Sequence, residues 1–107
     1  MHKTGNEIKQ IINRYKDALR KLGVHADKII LYGSYARGKQ HAGSDIDLVV
    51  VSDDFQKMNL RERLEILGIA AARIMKPIEA KGYTAEEIKR PSPASFIHEV
   101  LSVGVVV

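Results

Sequence analysis

The chain has 107 residues, of which 45% are hydrophobic and 28% are charged, with a formal net charge of +4. This length predicts one domain over residues 1–107 and leaves no room for a second, substrate-binding domain. The absence of cysteine excludes disulfides, thiolate-bound zinc and thiol catalysis. Without a signal-like or membrane-length apolar run, we expect a cytoplasmic protein with no membrane contact. The basic residues are spread along the chain, a pattern that does not favour direct nucleic-acid binding.

The first half of the chain predicts one helix followed by two strands. Thr4 and Glu7 form a capping box, and apolar residues then follow at helical spacing as far as Gly23. Lys28–Tyr32 predicts the first strand, and a β-branched, apolar run that begins near Asp45 predicts the second.

The second half predicts further helices and a third strand. Residues 77–81 read as a strand, and Thr84 with Glu87 forms a capping box for a short helix. Between the second and third strands, Asn59 and Glu62 form another capping box. An apolar stripe follows that box and is closed by Pro77; it consists of Leu60, Leu64, Leu67, Ala71 and Ile74.

The C-terminal segment predicts a last helix from Ser92 to Gly104, with residues 105–107 as a final short strand or an interface. The aromatic residues at core-like spacing are predicted to pack in the interior; they are Tyr15, Tyr32 and Phe96. This element order predicts an α/β (α+β) fold with a small mixed β-sheet flanked by helices.

The most informative motif is a Gly-Ser turn followed by an Asp-x-Asp pair. Ten residues separate Ser34, which follows Gly33, from Asp45, and Asp47 lies two positions further on at the start of an apolar strand. Because strand side chains alternate, the two carboxylates point to the same face, roughly 6.5 to 7 Å apart along the backbone. Two such charges repel each other, and a divalent cation is the commonest way to offset that repulsion.

A phosphate loop is a competing interpretation of the same segment. The residues from Gly33 to Lys39 satisfy seven positions of the G-x-x-x-x-G-K-[ST] pattern. The eighth position is Gln40, which lacks the hydroxyl that binds magnesium. The match therefore fails at its most demanding position.

The Gly-Ser and Asp-x-Asp motifs together resemble the signature of the DNA polymerase β-type nucleotidyltransferases. Within that superfamily, the residues of the two motifs are most similar to those of the minimal nucleotidyltransferases (MNT domains). The resemblance implies a polymerase β-like fold and transfer of AMP from ATP with two Mg²⁺ ions. It makes Asp45 and Asp47 catalytic metal ligands. It also places the triphosphate on Gly33 and Ser34, with Arg37 one turn further on as an additional contact.

Members of this superfamily usually have a third carboxylate on a neighbouring strand, which binds metal and helps to deprotonate the nucleophile. Glu79 is the candidate, because its side chain points away from those of its apolar neighbours in the third strand. Glutamate departs from the usual aspartate. The alternative is that Glu79 is an exposed strand residue without a catalytic role. Tyr83 is a further candidate for stacking on a base, and His41 for touching the nucleotide.

The resemblance also implies a partner. Small MNT proteins are commonly paired with an all-helical HEPN toxin, which the MNT antitoxin neutralises by adenylylating a tyrosine. One alternative is a non-catalytic antitoxin that masks the HEPN protein by binding, and a more distant one is an aminoglycoside-modifying enzyme, whose drug-binding domain this chain lacks. We expect a homo- or hetero-oligomer but assign no stoichiometry.

Overall fold

The computed structural model describes residues 5–36, 38, 45–89, 91 and 94–107. The described residues contain four strands: β1 (Lys28–Tyr32), β2 (Ile46–Val51), β3 (Ile78–Tyr83) and β4 (Val105–Val106). They form one sheet in the order β3-β2-β1-β4. β2 is antiparallel to β1 and parallel to β3, and β4 is antiparallel to β1. The predicted mixed sheet is therefore confirmed, and the C-terminal valines Val105 and Val106 form its short edge strand.

In the described part of the chain, four α-helices flank the sheet, and a 3-10 helix at Asp53–Lys57 follows β2. Among the described residues, no helix is long and apolar enough to cross a membrane. The predicted capping residue Thr4 and the predicted helix start Ser92 lie outside those residues. The last helix begins at Phe96, later than predicted, with Ser95 as its N-cap. The helices are α1 (Gly5–Lys21), α2 (Leu60–Ile74), α3 (Ala85–Lys89) and α4 (Phe96–Val103).

The two faces of the sheet are covered differently. Helices α1 and α2 pack on one face, over alternate strand residues that include Ile29, Leu48 and Val50. On the other face, Ile97 and Val100 of α4 pack over Ile30, Val49 and Val51. The side chains at one end of this second face, where β1 ends and β2 and β3 begin, remain accessible: Tyr32, Asp47 and Glu79 are half-buried or exposed.

The predicted apolar stripe of α2 is wrong at its first turns. Leu60 and Leu64 are exposed, whereas Arg63 is buried beside Leu67 on the same helix. The Arg63 guanidinium donates to the Glu87 carboxylate at 2.7 Å and to the Phe55 carbonyl at 2.8 Å. A buried arginine is tolerated because its donors are satisfied in this way. Arg63 thus connects the 3-10 helix, α2 and α3.

Candidate active site

Three polar side chains lie in one row across the central strands. Tyr32 of β1 is the register partner of Asp47 in β2, and Asp47 is the register partner of Glu79 in β3. Register partners point to the same face of a sheet, about 4.8 Å from strand to strand. The sheet therefore brings Asp47 and Glu79 together, and the catalytic role of Glu79 stays a prediction. Ile78 and Ala80, on either side of Glu79, pack against the opposite core.

The turn after β1 lies directly against this row. Gly33 has a φ of 73°, in the left-handed region that favours glycine. A Cβ atom on Gly33 would overlap Asp47 Oδ2 and would lie 3.1 Å from Asp47 Cγ. Two residues later, Tyr35 is buried in the core under α1 and α2 and anchors the turn. The backbone of the Gly-Ser turn is therefore held against the carboxylate of Asp47.

Burial and neighbouring negative charges disfavour ionisation in this row. Burial, then the carboxylates of Glu79 and Asp45, raise the pKa of Asp47, whereas the ammonium of Lys81 lowers it. Burial, then the charges of Asp47 and Glu79, raise the pKa of the Tyr32 phenol to about 12. These shifts mark a concentration of negative charge that a cation would relieve.

The other predicted site residues fall around this row. Asp45 is exposed, immediately before β2, and Ser34 is half-buried in the turn after β1. Arg37 and His41 lie outside the described residues, so their predicted roles stay predictions. Tyr83 lies four positions along β3 from Glu79, or about 13 Å at the rise of a strand, and packs against the core under α3 and α4.

The carboxylates of this site suit magnesium better than a metal ion that is bound entirely by protein side chains. Within the described residues, no group of three or more histidine, cysteine, aspartate or glutamate side chains is arranged to hold a metal ion. Mg²⁺ is usually bound through one or two carboxylates together with substrate phosphates and water, rather than in a complete protein cage. Asp47 and Glu79, which repel each other beside the turn at Gly33, provide such a partial set.

Sequence reasoning missed one feature beside the turn. Tyr32 and Phe96, which were predicted to be packing residues, meet edge to face with ring centroids 5.3 Å apart. With Gly33 they line a small cavity between the end of β1 and helix α4. The ammonium of Lys81 lies 5.0 Å from the centroid of the Phe96 ring. Phe96 is distant in sequence from Tyr32 and Gly33, so local residue spacing could not predict that the three residues meet. The packing prediction is confirmed for Tyr15, whose buried hydroxyl donates to the Leu67 carbonyl.

Comparison with known families gives a match over most of the chain. The family model for the nucleotidyltransferase domain matches residues 12–101 of this chain. A Methanocaldococcus jannaschii protein named "putative protein adenylyltransferase" is 33% identical over 106 residues, which cover 92% of this chain and 97% of that protein. A second protein of that organism and name is 40% identical over 65 residues, but the aligned part spans only 64% of its length.

Solved structures show the same fold at lower identity. A crystal structure of a toxin-antitoxin with AMP-PNP superposes with a TM-score of 0.62 at 24% identity, covering 88% of this chain and 69% of that one. A nucleotidyltransferase structure from Sulfolobus solfataricus gives a TM-score of 0.56 at 19% identity, covering 99% of this chain and 89% of that one. These similarities confirm the predicted fold.

Proposed function

Because the chain belongs to the nucleotidyltransferase domain family, we propose that it transfers AMP from ATP to a hydroxyl of a partner protein in a magnesium-dependent reaction. One observation carries the proposal. The left-handed turn at Gly33 is held against Asp47, which shares its row with Glu79. The turn to which we assign the phosphates therefore adjoins the carboxylates that would bind their counter-ion.

The turn binds the triphosphate. The backbone N–H groups of Gly33 and Ser34 donate to phosphate oxygens, and the Ser34 hydroxyl adds a donor. The missing side chain of Gly33 lets the phosphates approach the backbone next to Asp47. Arg37 provides a positive charge for the same phosphates.

The carboxylates of Asp45, Asp47 and Glu79 would bind Mg²⁺ together with substrate phosphates and water, and the resemblance to polymerase β-type enzymes implies two such ions. When bound, the ions stabilise the negative charge that develops on the transferring and leaving oxygens. The ionised form of Asp47 is disfavoured by burial and by its two carboxylate neighbours. A bound cation would offset this penalty.

The transfer is a single displacement at the α-phosphorus of ATP. The acceptor oxygen forms a bond to this phosphorus, and the bond from the phosphorus to the oxygen that bridges to the β-phosphate breaks. Pyrophosphate leaves with that electron pair. Glu79 takes the proton of the acceptor hydroxyl, since it lies at the β3 side of the row, opposite the turn that binds phosphate.

The acceptor is a tyrosine of a HEPN toxin, for which this protein is the antitoxin. Two observations support a protein acceptor of this kind. The curated relatives named above carry the name protein adenylyltransferase. The structural neighbour of similar fold is part of a toxin-antitoxin and was solved with AMP-PNP, an ATP analogue.

The proposal is tested with the protein encoded beside this one in the genome as acceptor. The partner, MgCl₂ and the chain are incubated with ATP labelled at either the α- or the γ-phosphate. We expect the α-label on a partner tyrosine and no γ-label. Asp45→Asn and Asp47→Asn should each lower transfer by two or more orders of magnitude, since each removes several kcal/mol of transition-state stabilisation. The exposed Asp27 supplies the matched control, Asp27→Asn, which should retain activity.

A second candidate function is masking of the toxin without catalysis. It is favoured by one observation, the glutamate at position 79 where polymerase β-type enzymes usually have aspartate. Masking predicts equal inhibition of the toxin by the wild type and by both aspartate variants, with no label transferred. Loss of transfer in Glu79→Gln with retained ATP binding would instead assign Glu79 to the chemistry.

A further inference from the structure

A cavity of about 200 Å³ opens between the end of β1 and helix α4, on the same sheet face as the carboxylate row. It is lined by Tyr32, Gly33, Phe96, Glu99, Val100 and Val103. Sites for whole small-molecule ligands span roughly 300 to 1,000 Å³. This cavity therefore suits one part of a ligand whose remainder lies outside it.

The lining suits a flat ring. Val100 is buried, whereas Phe96 keeps 39% of its surface exposed although it packs edge to face against Tyr32. Aromatic side chains with open faces are the usual platform for nucleobases, because every base presents a π-surface. The Lys81 ammonium over the Phe96 ring adds positive charge beside the platform.

The proposed reaction brings together two rings, the base of ATP and the ring of the acceptor tyrosine. The position of the cavity indicates which of them it binds. Gly33 lines the cavity and also begins the turn that faces Asp47. Glu79 lies on β3, two strands away from β1, on the opposite side of Asp47. The cavity therefore adjoins the turn assigned to the phosphates, whereas Glu79, to which we assign the proton of the acceptor hydroxyl, does not line it.

We propose that this cavity binds the base of the nucleotide, with Phe96 as its stacking residue. The inference rests on the proposed function, since it assigns the base of the same nucleotide whose triphosphate lies on Gly33 and Ser34. Phe96 thereby acts in nucleotide affinity and selectivity and takes no part in bond making.

The test compares two probes that differ only in having a nucleoside. The dissociation constants of AMP-PNP and of inorganic tripolyphosphate are measured in MgCl₂ for the full chain and for Phe96→Ala. We expect AMP-PNP to bind about 10-fold more weakly to the variant, the loss typical of one stacking contact, and tripolyphosphate to bind unchanged. Leu101, on the same helix with 40% exposure and outside the cavity, supplies the matched control, Leu101→Ala.

Two further variants keep the test valid if Phe96→Ala loosens α4. Phe96→Tyr retains a flat ring and should bind AMP-PNP like the wild type, whereas Phe96→Leu retains apolar volume without the ring and should bind more weakly. Unchanged AMP-PNP affinity in Phe96→Ala and Phe96→Leu overturns the proposal. The proposal is also overturned if these variants raise the KM for the partner protein and leave nucleotide affinity unchanged. That result would assign the cavity to the ring of the acceptor tyrosine. Failure of the wild type to bind either probe would instead refute the proposed function.

Discussion

A side chain at Gly33 would overlap the carboxylate of Asp47. Gly33 follows β1 and Asp47 lies in β2, so the two residues are separated in sequence but adjacent in space. Gly33→Ala therefore meets two obstacles, the strain of a φ of 73° and this collision. We expect a loss of about 1–2 kcal/mol in the free energy of unfolding from the strain alone. We also expect AMP-PNP binding in MgCl₂ to weaken more than about 10-fold, because Asp47 and the turn must separate. Chemical denaturation and calorimetric titration measure the two effects.

Gly23 provides the matched control for this variant. It has a φ of 91°, and a Cβ atom there would meet nothing within 4 Å. Gly23→Ala should therefore cost a similar amount of stability and leave nucleotide binding unchanged. Equal loss of AMP-PNP binding in both variants would show that instability, not the contact with Asp47, causes the defect.

The pKa of Asp47 predicts that a site variant will be more stable than the wild type. Burial, Glu79 and Asp45 raise this pKa, so ionised Asp47 destabilises the folded chain. The penalty is complete above the folded pKa and absent below the unfolded value, about 3.9 for aspartate. Without magnesium, Asp47→Asn should therefore unfold at higher denaturant concentration than the wild type at pH 7, and the difference should disappear near pH 3.

Asp27→Asn is the control for this gain in stability, because Asp27 is exposed and lies at the opposite end of the sheet from the row. It should not raise the unfolding midpoint at pH 7. Magnesium should raise the unfolding midpoint of the wild type, since it binds the folded state alone, and should not do so in Asp47→Asn. An Asp47→Asn variant that is less stable than the wild type at pH 7 would contradict the account.

The buried guanidinium of Arg63 predicts a large loss of stability outside the site. Its side chain is 11% exposed and is paired with Glu87, so Arg63→Met removes the guanidinium donors to the Glu87 carboxylate and to the Phe55 and Gly82 carbonyls. We expect a loss of about 2–4 kcal/mol in the free energy of unfolding. In Arg61→Met, which breaks an ion pair whose arginine is 88% exposed, the loss should stay below about 1 kcal/mol. Denaturant titration measures both, and equal losses would refute the structural role of Arg63.

Lys81 predicts a measurable electrostatic effect within the row. Its charge lowers the pKa of Asp47, so Lys81→Met should move that pKa further upward. Carbon-detected NMR titration of the Asp47 carboxyl reports the change directly. Lys9 lies on α1, which covers the other face of the sheet, and Lys9→Met should leave the titration unchanged. An unaltered Asp47 titration in Lys81→Met would show that the lysine charge does not reach the row.

Local signals in the sequence predicted much of the fold. The first strand spans Lys28–Tyr32, as predicted, and the capping box of Asn59 and Glu62 forms as predicted. The nucleotidyltransferase prediction is confirmed by the family match. Such features depend on neighbours within a few residues, which the sequence displays directly.

The features that depend on distant contacts escaped prediction. Periodicity alone assigned Leu64 to the core, but the acceptors that draw Arg63 inward come from the 3-10 helix, β3 and α3. Phe96 likewise gained its place beside Tyr32 only through the packing of α4 on β1. The partner of each residue is fixed by tertiary packing, which overrides a local pattern.

The central claim, that this row of carboxylates transfers adenylate to a protein, is tested most directly by intact-mass spectrometry. The neighbouring-frame protein is incubated with ATP and MgCl₂ and either the wild type or Asp47→Asn, and its mass is recorded. We expect a gain of one or more AMP units with the wild type and none with Asp47→Asn. A partner that is inhibited but unchanged in mass, or that gains AMP equally with both proteins, would contradict adenylate transfer by this row.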